Sequence, residues 1–313
     1  ILAMTFVWSF VSEAVRPAAL AAVAGLAAPS QRRAAFALIR LAVNLGMSVG
    51  PAVGGFLAVV SFRALFWADS VTSLLAGAVL LLWPLHVARR AGSAAALLEE
   101  PVDVARDIEA ESATPPTAAV PSDVLGVLRD PRLVYFLLAL IPVFIVFFQL
   151  TSAMPLFLVQ HLGLPKSLFG LIFTLNTLLI VAVEVPLNLA MAHWRHRHAL
   201  ALGAMLYAVG FGALALVTTQ PAILATVVIW TFGEMILLPT SAAYIAEIAP
   251  PGKQGECMGV YSMTFSLAFA VGPWLGATVL QQFGPEVLWV AVFVSGCVSA
   301  LLMSRVKDGS PAD

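Results

Sequence analysis

The chain has 313 residues, 61% hydrophobic and only 11% charged, with a mean hydropathy of +0.97. Soluble domains carry about 25% charged residues, and a soluble fold of this length has too little interior to hide so much apolar surface. The principal solvent is therefore lipid, and a net charge of −1 leaves no global basic field for nucleic acid.

A membrane-crossing helix needs about 20 mostly apolar residues. Nine such stretches follow in order: Ile1 to Ala28, Ala34 to Val60, Leu65 to His86, Leu133 to Leu158, Ser167 to Ala192, Ala199 to Val217, Ala222 to Ile248, Met258 to Leu280 and Leu288 to Met303. No series of alternating ten-residue strands appears, so the expected class is an all-α polytopic membrane protein. The chain opens inside an apolar run without the charged start of a signal peptide. It is expected to continue from helices lying upstream.

The first stretch holds Glu13 and Arg16. A charge at bilayer depth is costly and marks a functional candidate. Either Glu13 exchanges protons, or Arg16 one turn on neutralises it.

The second stretch holds Arg40, Asn44 and the run "SVGPAVGGFL". Arg16, Arg40 and Asn44 either line a cavity or lock helices by pairing with carboxylates, and Arg40 leans towards the lock. Gly46, Gly50 and Gly54 recur every four residues, so they share one face, with Gly55 beside it. Small residues let membrane helices approach closely, and Pro51 lets the helix bend. In the third stretch Asp69 is expected to cap the outer end near Arg63.

A charged, Pro-rich break follows, including "EEPVDVARDIEAESATPPTAAVPS". By composition it is a cytoplasmic disordered linker. Its end, "SDVLGVLRDPRL", reads as a short interfacial helix capped by Ser122. The expected domains are a partial N-terminal bundle at 1–87, the linker at 88–132, a six-helix bundle at 133–306 and a tail at 307–313.

Beyond the linker, Gln149 and Asn176 are either cavity groups or helix-to-helix hydrogen bonds. Glu184 either serves ligand or proton or reaches the cytoplasmic interface. "HWRHRH" places His193, His196 and His198 among arginines, which reads as a cytoplasmic anchor rather than a metal site. Glu234 lies near the centre of its helix. Desolvation brings such a carboxyl into the range where it gains and loses protons near neutrality. A group that holds either a proton or a cationic substrate, but not both, performs antiport. Phe148, Trp230, Tyr244, Tyr261 and Phe265 are candidate contacts for a lipophilic substrate. Cys257 and Cys297 are too few for a disulfide framework and read as free thiols.

Loop charges set the orientation. Twelve Lys and Arg residues fall in one set of loops and only Arg63 and Lys166 in the other. The first set, with the C-terminus, is expected to be cytoplasmic.

A shift of 222 residues aligns two segments without a gap. Pro17 falls on Pro239, Ala21 on Ala243, Gly50 on Gly272, Pro51 on Pro273 and Gly54 on Gly276. "VGPAVGG" thus has a second copy, "VGPWLGA". The six-helix part begins near Leu133, so about ninety upstream residues, enough for three spans, would complete a matching first half. Two repeated halves are a transporter architecture.

The sequence now resembles the major facilitator superfamily over nearly its whole length, as helices 4 to 12 of twelve. "RLAVNLGMSVGPAVGG" is similar to the antiporter motif of the drug:proton antiporter branch. "RPAALAAVAGLAAPSQRRAAFAL" resembles the passage from the fourth helix to the fifth. "GEMILLPTSAAYIAEIAPP" followed by "MGVYSMTFSLAFAVGP" resembles the tenth and eleventh helices of its multidrug exporters. Two departures concern cytoplasmic gating. The Asp usual near the end of the fourth helix is Gly25, although Glu247 holds the repeat-equivalent place. The Arg usual early in that helix has no counterpart in "MTFVWSF".

The resemblance implies the major facilitator fold of two six-helix bundles. It implies a proton-coupled exporter of small amphipathic or cationic compounds that works by alternating access as a monomer in the bacterial inner membrane. The lipid bilayer, a small-molecule substrate and protons are its partners, the proton gradient drives it, and no cofactor is needed. The proton and substrate candidates are Glu234, Glu13, Arg16, Arg40, Asn44, Gln149, Asn176 and Glu184. The gate is expected in Gly46, Gly50, Pro51, Gly54 and Gly55 and in the second copy, Gly272, Pro273 and Gly276. The alternatives are a sugar or metabolite exporter on the same scaffold and an inactive fragment, since the chain alone is expected not to transport. A membrane enzyme finds no support in an H-E-x-x-H motif or in paired intramembrane aspartates.

Overall fold

A computed structural model describes residues 16–28, 31–82, 124–165 and 167–307. It divides into two compact units, one comprising Ile1–Ser48 and Asp123–Asp313, the other Val49–Ser122. Glu13, the linker from residue 88 to Ser122 and the tail from residue 308 lie outside the described residues.

In the larger unit α1 is Arg16–Leu26 and α2, Arg32–Val60, begins. After the linker come a single turn, α4 (Val124–Val127), then α5 (Pro131–Phe147), α6 (Ser167–Ala190), α7 (His196–Gly212), α8 (Gln220–Ile248) and α9 (Gln254–Ser304). The expected interfacial helix is thus one turn, and its proposed cap Ser122 lies outside the described residues. Asp130 caps α5, its carboxylate accepting the Arg132 N–H at 2.8 Å, and Pro131 fills the first turn, where no N–H is needed.

Each of the nine apolar stretches carries helix among the described residues. Five helices are long and apolar enough to cross a membrane, from Pro131–Thr151 to Gln254–Ser304. The 51-residue α9 serves two stretches. Gly284 breaks it with φ 86°, a left-handed conformation that suits glycine, and Pro285 follows at once. Its arms are 254–283 and 285–304.

Prolines fall inside helices at Pro142, Pro186, Pro239 and Pro273, and the Met235 carbonyl freed by Pro239 accepts from Asn188 of the neighbouring α6 at 2.9 Å. Past Phe147 the chain leaves regular α geometry, passing through a 3-10 turn at Phe148–Thr151 and a π turn at Phe157–His161.

The core joins Phe136, Leu140, Phe144, Tyr207, Phe211, Trp230, Leu237, Tyr244 and Trp289. Helices approach most closely through glycine. A Cβ at Gly210 would lie 2.7 Å from the Trp230 backbone nitrogen, and one at Gly296 would lie 2.6 Å from the Ala208 Cβ. Such contact is what holds helices together where lipid tails remove the hydrophobic drive. Leu138, Leu178, Met263, Trp274, Val290 and Leu301 face outward, an apolar skin suited to lipid.

In the smaller unit, α2 finishes and α3 (Phe62–Leu82) follows. Its cap differs from expectation. Ser61 Oγ accepts the Ala64 N–H at 3.4 Å, whereas Asp69 sits two turns inside the helix and is exposed. A cap must precede the first turn, where free N–H groups lie.

Candidate functional site

Three helices of the larger unit meet around one arginine. Arg40, from α2, puts Nε 2.9 Å from Glu184 Oε1 on α6 and Nη2 2.9 Å from Glu234 Oε1 on α8. Its Nη1 donates to the Glu234 carbonyl at 3.4 Å. The side chains are 16% exposed for Arg40, 0% for Glu184 and 7% for Glu234, so water screens them little. At ~4 Å and an effective dielectric of ~20, two unit charges attract by about 4 kcal/mol. Desolvation opposes that gain. With both carboxylates ionised, the trio holds two negative charges against one positive.

Amide side chains complete the cluster. Asn176 Nδ2 donates to Glu234 Oε2 at 3.0 Å and to Thr231 Oγ1 at 3.1 Å. Asn188 Nδ2 donates to the Glu184 carbonyl at 2.8 Å and the Met235 carbonyl at 2.9 Å, tying α6 to α8. Asn44 Nδ2 donates to the Arg40 carbonyl at 3.0 Å, one turn back. The buried Tyr207 hydroxyl, from α7, accompanies the three charges.

Arg40, Asn176, Glu184 and Glu234 therefore converge, whereas Asn44 bonds back to its own helix. The Glu184 side chain is wholly buried against Arg40, and a buried carboxylate needs such a cation. Gln149 lies elsewhere, donating to the carbonyls of Ile145 (2.8 Å) and Gly272 (3.0 Å). It therefore makes a helix-to-helix hydrogen bond. Arg16 sits 4.0 Å from the centroid of Phe265. That ring packs among Phe144, Phe147 and Phe148.

The glycine positions behave unequally. A Cβ at Gly276 would collide with the Gln149 amide, and one at Gly272 would lie 3.3 Å from the Phe148 Cβ. At Gly46 a Cβ meets nothing within 4 Å. The backbone at Gly50, Pro51, Gly54 and Gly55 continues α2, and their surroundings lie outside the described residues. Residues 46–50, "GMSVG", also spell G-x-S-x-G, but they run on as helix rather than as the strand-to-helix elbow of a hydrolase.

The start of α2 is anchored as well. Arg33, 5% exposed, donates Nη1 to the Met191 carbonyl at 2.7 Å and Nη2 to the Trp194 carbonyl at 2.6 Å. Arg32 Nη1 donates to the Ala246 carbonyl at 3.2 Å. His196 Nε2 lies 2.7 Å from Glu247 Oε2. Among the described residues no group of three His, Cys, Asp or Glu could hold a metal. Sequence reasoning took Arg33 for a loop charge and passed over Asn188, Thr231 and Tyr207. The available signal was spacing: Asn176, Glu184 and Asn188 lie at multiples of four along α6, and Thr231 and Glu234 three apart on α8.

Comparison with known proteins gives the family. The uncharacterized MFS-type transporter YttB of Bacillus subtilis is 26% identical over 305 residues, 96% of this chain and 71% of its own length. The major facilitator superfamily domain-containing protein 10 of Bos taurus is 29% identical over 306 residues, 93% of this chain and 63% of its own. The multidrug resistance protein MdtH of Aeromonas salmonicida is 23% identical over 192 residues, covering 59% of this chain and 48% of that protein. Among solved structures, the human organic anion transporter MFSD10 (TETRAN) superposes with a TM-score of 0.59 at 20% identity. That match takes in 91% of this chain and 66% of the human one, a likeness of fold. The Major Facilitator Superfamily family description matches residues 1–167 and again residues 143–311, so the chain belongs to that superfamily of membrane transporters.

Proposed function

We propose that the protein to which this chain belongs works as a proton-coupled exporter of small amphipathic or cationic compounds, by alternating access, in the bacterial inner membrane with its C-terminus cytoplasmic. The family consists of transporters rather than enzymes in general, and no cofactor is called for beyond the proton gradient.

One observation carries the reading: two buried carboxylates share a single arginine. The surplus negative charge needs a cation in a low-dielectric site. A proton supplies it in one state and a cationic substrate in the other. The two exclude each other, so outward movement of one is tied to inward movement of the other. The likeness to the multidrug resistance protein MdtH and the twice-occurring Gly-Pro run support an exporter. Loop charge supports the orientation.

Arg16 favours a second reading. Its guanidinium rests on an aromatic ring and has no carboxylate partner among the described residues. An amphipathic organic anion would suit that pair, with its charge on Arg16 and its body on Phe265.

The test uses the full-length protein in inside-out vesicles with an acidified interior, and a dye that reports the proton gradient. Lipophilic cations, organic anions and sugars are added in turn to wild type and Glu234→Gln. Collapse of the gradient by a cation in wild type alone is the expected result. Collapse by an anion would favour the second reading, and no proton movement with any cargo would refute proton coupling.

A further inference from the structure

We propose that Glu184, not Glu234, carries the exchangeable proton, while Glu234 remains the fixed anion beside Arg40. This assignment rests on the proton-exchange reading above.

The two carboxylates share a cation but not an environment. Both Glu234 oxygens are served: Oε1 accepts from Arg40 Nη2 at 2.9 Å and Oε2 from Asn176 Nδ2 at 3.0 Å. Arg40 adds a third contact, to the Glu234 carbonyl, and Thr231 gives the Asn176 amide a second acceptor. Two donors, one of them charged, thus satisfy both oxygens of that carboxylate.

Glu184 has the burial without the donors. Its side chain is 0% exposed. Arg40 Nε lies 2.9 Å from Oε1 as an ion-pair contact. Among the described residues neither Glu184 oxygen accepts a hydrogen bond. Asn188 donates to its backbone carbonyl and leaves the carboxyl alone. A carboxylate offers about four acceptor sites, and a carboxylic acid fewer, with a donor of its own. Of the two groups, Glu184 is the one whose surroundings fit the acid.

The charged and titratable groups facing Glu184 are Arg40 from α2, Glu234 from α8 and Tyr207 from α7. When a proton from water binds a Glu184 oxygen, Arg40 and Glu234 are left as a balanced pair and the site offers nothing to a cation. When the proton leaves to the other side, one negative charge is uncovered beside Arg40, and a cationic head group can take it. The step moves one proton and breaks no other covalent bond. It also gives α2 two modes of attachment, to α6 and α8 together or to α8 alone.

A hydrophobic carbodiimide tests the assignment, because it adds covalently to a carboxyl group only in its protonated form. The full-length protein in liposomes is treated across a pH series, digested, and mapped by mass spectrometry. The expected adduct falls on the peptide carrying Glu184, declines as pH rises, and is diminished by tetraphenylphosphonium. An adduct on Glu234 alone, or on neither residue, overturns the assignment. Proton-coupled exchange is measured in the same liposomes. If wild type shows it while Glu234 carries the adduct, only the division of labour has failed. If wild type shows none, the exchange reading itself has failed. As a second arm, Glu184→Gln should flatten the pH dependence of exchange, and Glu184→Asp should restore it. A Glu184→Gln protein with an unchanged pH profile would also overturn the proposal.

Discussion

Two buried polar clusters stand in the same apolar bundle and do different things. Around Gln149, which is 1% exposed, everything is neutral and matched. Its amide nitrogen donates to two carbonyls, and its oxygen accepts from Ser152 Oγ at 3.4 Å. Around Arg40 the geometry is as close, but the charges do not sum to zero and the Glu184 oxygens lack donors. A satisfied neutral knot has nothing to gain from a change of state. A cluster with surplus charge has a built-in reason to bind something else. Burial alone therefore does not mark a working site in a membrane protein, whereas unbalanced burial does.

The comparison breaks most visibly at Arg40. Arg40→Met would leave two buried carboxylates with no cation, and removing one partner of a buried ion pair costs about 3–5 kcal/mol. A large drop in thermal stability with complete loss of exchange is expected, read by melting in detergent and by vesicle flux. The triple replacement Arg40→Met, Glu184→Gln, Glu234→Gln removes every charge at once. It should recover most of the stability and none of the transport. Recovery of both would mean that the cluster is only a rivet.

The twice-occurring Gly-Pro run sharpens the contrast next. Replacing Gly50 and Gly54 together with Leu is expected to abolish transport while leaving membrane insertion intact, measured by flux against surface yield. Full activity in that variant would remove the first copy from the gate. At the second copy the effect is on packing. Gly276→Ala places a methyl where the Gln149 amide now lies, at a cost of about 1–3 kcal/mol. Gln149→Ala in the same chain should give part of that back. A double-mutant cycle by thermal melting would detect the coupling, and strict additivity would deny the contact.

These positions also show what the sequence made legible. The nine apolar stretches, with the gap between Leu280 and Leu288, and the intramembrane charges were readable, because a span length and an isolated charge are local features. For Arg40 the sequence only leaned towards a lock and left cavity lining open. The convergence of Arg40 with both Glu184 and Glu234 was not readable, because these residues come from α2, α6 and α8, and periodicity says which face a residue takes but not which helix it meets. Gln149 was left between two roles for the same reason. The burial of Arg33 was hidden by its position among loop charges, where a cation reads as a topology signal. Only the C-terminal carbonyls beyond α6, brought up from a distant part of the chain, turn it into a cap.

The smallest expected effect concerns His196 and Glu247, which join the start of α7 to the end of α8 at 2.7 Å. Their side chains are 14% and 32% exposed, so water competes for the contact, and such pairs contribute under about 1 kcal/mol. Beside them, buried Arg33 draws on two carbonyl acceptors that no pH change can remove. Glu247→Gln should therefore shift the melting temperature only slightly and leave flux near wild type, whereas Arg33→Met should lower both. If Glu247→Gln were as damaging as Arg33→Met, this end of the bundle would be held by ionic attraction rather than by carbonyl capping. The difference drawn between matched and unbalanced clusters would then no longer separate structure from function.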